Sequence, residues 1–195
     1  MKFVIASNNK KKIREMKDIL SSLDIEAVSM ADAGVFADPD ESGETFEENA
    51  LIKARTVMER SGLPAIADDS GLSVDALSGA PGVHSARYAE GTDADRTRKL
   101  LSNMRGVKKE DRGAKFVSAI ACAFPDGDFF ICRGECEGEI LFGMQGEGGF
   151  GYDPVFFVPE YRMTFAQMPA EVKNKISHRA KAMEKMRDEL KKRMA

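Results

Sequence analysis

Ala65-Ile66-Ala67-Asp68-Asp69-Ser70-Gly71-Leu72-Ser73-Val74 decides how the rest of the chain is read. An apolar, strand-like run leads into two adjacent carboxylates and a hydroxyl, followed by a glycine. Such a place is poor for storing surface charge. A strand that ends in Asp68-Asp69-Ser70-Gly71 delivers oxygen atoms to the carboxyl edge of a sheet, where open α/β folds keep their sites. The stretch therefore predicts an α/β chain with its reaction centre at Asp68 and Asp69, and residues 72–77 read as a separate, following strand.

Upstream, residues 3–6 read as a short buried strand, and Ile13, Met16, Ile19 and Leu20 then recur at helical spacing. Between them lies the turn Ser7-Asn8-Asn9-Lys10-Lys11-Lys12. A strand, a polar turn and a helix start present free backbone N–H groups to a phosphate. Cations in the first turn oppose the helix dipole by about a few tenths of a kcal/mol each, and an anion bound there reverses that sign. No Gly-x-x-x-x-Gly-Lys-Ser/Thr occurs, so this is not the phosphate loop of the common nucleotide hydrolases. Residues 25–30 form a second strand and 31–43 an acidic loop. Thr45 with Glu48 makes a capping box for a helix whose inward face is Phe46, Ala50, Ala54, Val57 and Met58. Glu41 and Glu44 are either surface acids favoured by the helix dipole or metal ligands arriving beside Asp69; the spacing leaves both open.

Downstream, residues 78–85 are a Gly/Pro loop whose His84 reads as structural or solvent-facing, and Thr92 or Asp93 caps a helix reaching Met104. Residues 114–124 are apolar on both alternations, which predicts a central strand covered on two faces. Pro125-Asp126-Gly127-Asp128 is a turn, residues 129–135 return antiparallel, and 138–142 add another strand, giving a mixed sheet. Five glycines fall within residues 143–151, ahead of Tyr152-Asp153-Pro154. Glycine at this density permits close backbone approach, and Phe150 and Tyr152 make the segment a pocket wall for a flat ligand. Ser177 is the expected N-cap of a terminal helix with Ala180, Met183, Met186, Leu190 and Met194 inward. His178 and Arg179 at its start again oppose the dipole and point to an anionic or hydrogen-bonding ligand.

At 195 residues the chain fits one large domain, 1–195, or two small lobes better than two independent domains. A net charge of -3 gives no global basic field, which argues against a non-specific nucleic-acid binder. Cys122, Cys132 and Cys136 have no metal-binding spacing and read as reduced thiols. No signal peptide or membrane span is evident, so a cytoplasmic protein without a membrane or nucleic-acid partner is expected.

Collected, the candidate site has a lysine-bearing turn, an acidic pair with nearby glutamates, a glycine-rich aromatic wall and a late Lys/His/Arg cluster. A nucleoside triphosphate with Mg²⁺ would use all four. Six stretches in order resemble the inosine triphosphate pyrophosphatase family over nearly the whole chain: Ser7-x-Asn9-x-x-Lys12; Gly43-Glu44-Thr45-Phe46 leading to Glu48-Asn49-Ala50; Ala67 to Leu72; Pro81 to Arg87; Gly148 to Pro154; and Ile176-Ser177-His178-Arg179. The resemblance implies a long, curved mixed β-sheet with flanking helices, two lobes with the active-site cleft between them, and a homodimer. It implies hydrolysis of ITP, dITP and XTP to monophosphate and pyrophosphate. It also favours Asp69 as general base and magnesium contact, with Glu41 or Glu44 completing the metal site. Asp68 is left with binding a second metal or orienting water. Ser7, Asn8, Asn9, Lys12 and Ser70 then hold phosphates, Lys173 adds charge or reaches the base, and Phe150, Gly151, Tyr152, Asp153, His178 and Arg179 serve the base. The rival readings are a house-cleaning pyrophosphatase for pyrimidine or modified nucleotides, whose Ser-Pro-Arg-Arg turn is absent here, and a non-catalytic nucleotide sensor, against which the intact Asp68-Asp69 argues.

Overall fold

The computed structural model describes residues 2–21 and 25–194. The elements follow in the order β1 (Lys2–Ile5), α1 (Lys10–Leu20), β2 (Glu26–Ser29), α2 (Phe46–Ser61), β3 (Ala65–Val74), α3 (Asp93–Asn103), β4 (Gly113–Ala123), β5 (Phe129–Ile140), β6 (Phe156–Val158), β7 (Met163–Thr164), α4 (Ala170–Ile176) and α5 (His178–Met194). The seven strands form one sheet in the order β2-β1-β3-β4-β5-β6-β7. β1 is parallel to β2 and β3, whereas β5 with β6 and β6 with β7 are antiparallel, so the sheet is mixed with flanking helices. No described helix is long and apolar enough to cross a membrane.

Two expectations change. β3 does not end at the acidic pair but runs unbroken to Val74, so Asp68 and Asp69 stand in mid-strand and no second strand begins at Leu72. Two adjacent carboxylates in a nearly all-buried strand look like a terminus because unpaired buried charge is costly. Here cations meet both of them, and the ladder continues. Likewise β5 is one strand through Gly134 and Gly138 rather than two. The expected gap at 136–137 is absent, and the two glycines serve as clearances. A Cβ on Gly138 would stand 2.5 Å from the Phe157 carbonyl oxygen, and one on Gly134 would overlap the His178 carbonyl oxygen and the Ala182 nitrogen of α5.

A testable consequence concerns stability. Because Gly134 faces backbone atoms that no rotamer change can move, Gly134→Ala should displace the first turn of α5 and cost about 1–3 kcal/mol. The thermal midpoint should fall by roughly 5 °C. A calorimetric midpoint equal to that of the unmodified protein would contradict the close packing.

The chain divides into two compact units. The first comprises Met1–Asp69, Ser118–Gly134 and His178–Ala195, and its core joins Phe3, Ile5, Met16, Leu20, Ile66, Ile120, Met183, Met186 and Leu190. The second comprises Ser70–Val117 and Glu135–Ser177, with a core of Leu72, Leu100, Met104, Phe116, Phe156 and Phe165. Phe116 packs against Phe156 at 4.6 Å between ring centroids and stacks on Phe165 at 5.6 Å. The capping box at Thr45 and Glu48 forms as the sequence predicts, and α2 stops at Gly62 in the left-handed region, φ 67°.

Candidate active site

Successive side chains of a strand point to opposite faces, and in β3 this gives neighbouring acids different company. Asp68 is fully buried. Its Oδ2 accepts from Lys12 Nζ at 2.6 Å and from an Arg179 guanidinium nitrogen at 3.3 Å, and its Oδ1 accepts from Ser118 Oγ at 2.5 Å. Arg179 turns its other terminal nitrogen to Glu15 Oε2, at 2.5 Å. Burial alone pushes the Asp68 carboxyl up, but Arg179 and Lys12 outweigh it and hold the group well below the ordinary carboxylate range.

Asp69 is in the reverse condition. Lys53 Nζ donates to its Oδ1 at 2.6 Å, to Glu41 Oε1 at 2.8 Å and to the Asp68 carbonyl oxygen at 3.4 Å. The second carboxylate oxygen, Oδ2, is buried and accepts no hydrogen bond from the described residues. Burial raises the Asp69 pKa; Lys53 and Lys12 offset this only in part, and Glu41 adds to the rise. Two adjacent carboxylates are thus driven in opposite directions, a pattern that suits them to different tasks.

Local chain chemistry explains how these groups arrive. Asn9 is the N-cap of α1, its Oδ1 accepting from the N–H groups of Lys11 at 3.0 Å and Lys12 at 3.3 Å, while the Asn9 N–H donates to Ser7 Oγ at 3.2 Å. Part of the turn's N–H set is therefore already used by its own side chains. For Lys12 the anion that offsets the dipole is Asp68. Asn8 is exposed and Ser7 half-buried. The acidic loop is fastened to α2: Gly43 N–H donates to Asn49 Oδ1 at 2.8 Å and Glu44 N–H to Glu48 Oε2 at 2.7 Å. This brings Glu41 onto Lys53 beside Asp69, whereas the Glu44 side chain stays exposed.

Lys53, Glu15 and Ser118 escape the sequence reading, and Asn49 enters it only within a matched stretch, with no role. Each had a signal: Lys53 is a cation on the inward side of α2 next to Ala54, Ser118 interrupts an apolar strand, Asn49 sits among buried positions of α2, and Glu15 lies one turn from Lys12.

A divalent ion with oxygen ligands fits this donor set. Asp69 and Glu41 already direct oxygens at one cationic group, and Asp69 Oδ2 is a buried acceptor without a donor among the described residues. Among the described residues no three His, Cys, Asp or Glu side chains converge as a metal group. Two carboxylates with the remaining positions filled by phosphate oxygens and water is a usual arrangement for Mg²⁺.

The glycine-rich wall belongs to the second unit. Asp153 Oδ2 accepts from the Phe150 N–H at 2.9 Å and from Lys173 Nζ at 2.6 Å, and that ammonium lies 4.9 Å from the centre of the Phe150 ring. Gly149 has no room for a Cβ beside the Asp153 carboxylate. Of the two aromatic candidates, Tyr152 is buried in the core with its hydroxyl donating to the Ser85 carbonyl at 2.8 Å, which leaves Phe150 as the half-buried ring. Ser70 is half-buried in β3. His178 is buried at the start of α5, and Arg179, assigned by the sequence to the base edge, is occupied by Glu15 and Asp68. Ser177 is an extended residue between α4 and α5. His84 is exposed, its Nδ1 accepting from Arg87 at 3.3 Å.

With this geometry in view, comparison with known proteins is informative. The sequence model of the Ham1 family matches residues 3–189. A dITP/XTP pyrophosphatase of Haemophilus influenzae is 51% identical over 193 residues, covering 97% of this chain and 98% of the relative. One from Thermus thermophilus is 50% identical, covering 94% and 88%. The solved structure of a HAM1 protein from Coxiella burnetii superposes with a TM-score of 0.91 at 42% identity, covering 98% of this chain and 99% of that one.

Proposed function

The chain belongs to the Ham1 family, and from that premise we propose that it is a nucleoside triphosphate pyrophosphohydrolase acting on dITP, XTP and ITP. The observation that supports this most directly is the unequal setting of the two adjacent acids: Asp68 is held by Lys12, Arg179 and Ser118, whereas Asp69 meets Lys53 through one oxygen and keeps the other buried beside it. Asp69, its carboxyl raised by burial and one oxygen without a donor, takes a proton from a water aimed at the α-phosphorus. A bond forms from the water oxygen to that phosphorus. The bond to the bridging oxygen breaks, and pyrophosphate leaves with the electron pair. Asp68 takes no proton; it stays ionised and fixes Lys12 at 2.6 Å so that the ammonium is placed for the phosphate tail. The turn of Ser7, Asn8 and Asn9, together with Ser70, hydrogen-bonds the same tail.

Asp69 and Glu41 are the residues that would hold Mg²⁺, with Glu44 outside the set. When bound, the ion relieves the charge accumulating on the departing pyrophosphate. Lys53, which touches both acids, holds them in place and supplies positive charge beside the reacting phosphates.

The base falls to Phe150, Gly151, Tyr152 and Asp153 with Lys173 and His178: the Phe150 ring covers it and Tyr152 acts through its backbone. Arg179 acts through Asp68. Donors aimed at a 6-oxo group are left unpaired by adenine's amino group, and buried unpaired donors are expensive, so ATP is rejected. The protein works as a cytoplasmic homodimer in a single domain, with no nucleic-acid or membrane partner, a reading supported by the family resemblance and the net charge of -3.

The test incubates the protein and Mg²⁺ with dITP, ITP, XTP, GTP, ATP and dTTP and measures pyrophosphate separately from phosphate. Pyrophosphate released from the 6-oxo, non-guanine purines ahead of the rest is the expected result. Orthophosphate as first product, or preference for dTTP, would overturn it.

A further inference from the structure

We infer that Asp93 and Thr97, one turn apart on α3, are positioning residues that set the base wall by gripping both polar groups of Gly151. The Gly151 N–H donates to Asp93 Oδ2 at 2.7 Å, and its carbonyl oxygen accepts from Thr97 Oγ at 3.3 Å. Thr97 is 1% exposed, at a position of α3 that packs inward with Leu100. Packing alone would be met as well by valine, so the hydroxyl calls for a polar explanation. Asp93 is steadied in turn by Arg96, which pairs with its other oxygen.

What is gripped matters because of its neighbours. Gly151 has φ +61°, a left-handed conformation that other residues adopt reluctantly. It lies directly between Phe150 and the Tyr152-Asp153 pair. The turn is tied to itself by the Asp153 N–H on the Phe150 carbonyl at 3.2 Å and by the Phe150 N–H on Asp153 Oδ2 at 2.9 Å. Lys173 is attached to the same Asp153 oxygen. Rotation of the peptides flanking Gly151 therefore carries the Phe150 ring, the Asp153 carboxylate and the Lys173 ammonium together. Two contacts from one helix, to the donor and the acceptor of one residue, fix that rotation. α3 carries none of the proposed phosphate or metal groups, so its influence is confined to the choice of base.

This inference rests on the reading of Phe150 to Asp153 as the base wall, and the experiment separates the two. Steady-state constants for ITP and ATP are measured for Thr97→Val, Asp93→Asn, Thr97→Ser and Phe150→Ala, with a thermal midpoint for each. Thr97→Val is isosteric and Asp93→Asn conserves shape, so the fold is retained. Each should lower kcat/KM for ITP by about 3- to 10-fold, the effect of one ordinary hydrogen bond, mostly through KM. Each should also reduce the ITP-to-ATP ratio, and Thr97→Ser should restore it. If Phe150→Ala reduces the ratio while Thr97→Val and Asp93→Asn scale both substrates equally, the contacts are merely structural and the inference is overturned. If Phe150→Ala leaves the ratio unchanged, the base-wall reading fails and takes the inference with it.

Discussion

Asp69→Asn is expected to lower pyrophosphate release by about 10²- to 10⁴-fold, the span that a general base contributes, while leaving the thermal midpoint within a few degrees. The two halves of this prediction have separate grounds. The amide cannot take the proton from water, and it is a poorer ligand for a divalent cation. Folding tolerates the change because burial already disfavours the Asp69 charge. Lys53 would keep Glu41 at 2.8 Å and the Asp68 carbonyl at 3.4 Å, so its ammonium would not be stranded. Burial works against the Lys53 charge, and Asp69 with Glu41 outweighs it; with Asp69 neutralised, Glu41 carries that task. Turnover near that of the unmodified enzyme by folded Asp69→Asn protein would remove the proposed mechanism.

Asp68→Asn should behave in the opposite way, with its first effect on stability. Asp68 is the shared acceptor for Lys12, Arg179 and Ser118, in surroundings closed to solvent. Neutralising one partner of a buried ionic cluster strands the others, at a cost of about 3–5 kcal/mol. For a chain of this size that is a fall in thermal midpoint on the order of 10 °C. Glu15 retains Arg179 at 2.5 Å and keeps the loss from being larger. Activity should fall as well, because Lys12 loses the contact that places it. A midpoint equal to the parent's, measured by calorimetry in the same buffer, would show that the cluster is not the structural anchor its geometry indicates. Adjacent residues of one strand are thus expected to give a folded, inactive protein in one case and a destabilised one in the other.

Much of the fold is legible because it is locally encoded. The Thr45-Glu48 capping box, the Pro125 to Asp128 turn and the doubly apolar run at β4 all depend on residues within a few positions of one another. The failures share a cause. The gap expected between residues 135 and 138 is not there, and a sequence cannot show the backbone of α5 or β6 that lies against Gly134 and Gly138 along this continuous strand. β3 looks finished at Asp69 because the charges that neutralise it are brought from residues 12, 53 and 179. Lys53 is missed for the same reason, being one lysine among many until α2 is placed.

The sequence by itself determined which groups were candidates: the acidic pair, the lysine turn, the glycine-rich wall, and the alternation that sends Asp68 and Asp69 to opposite faces. Only the tertiary structure decided in which direction each carboxyl is pushed. A carboxylate's pKa follows from burial set against the cations that reach it, and Lys12 and Arg179 reach Asp68 while Lys53 is shared between Asp69 and Glu41. That division depends on helices brought together from three distant parts of the chain, and no local pattern in Ala65 to Val74 contains it.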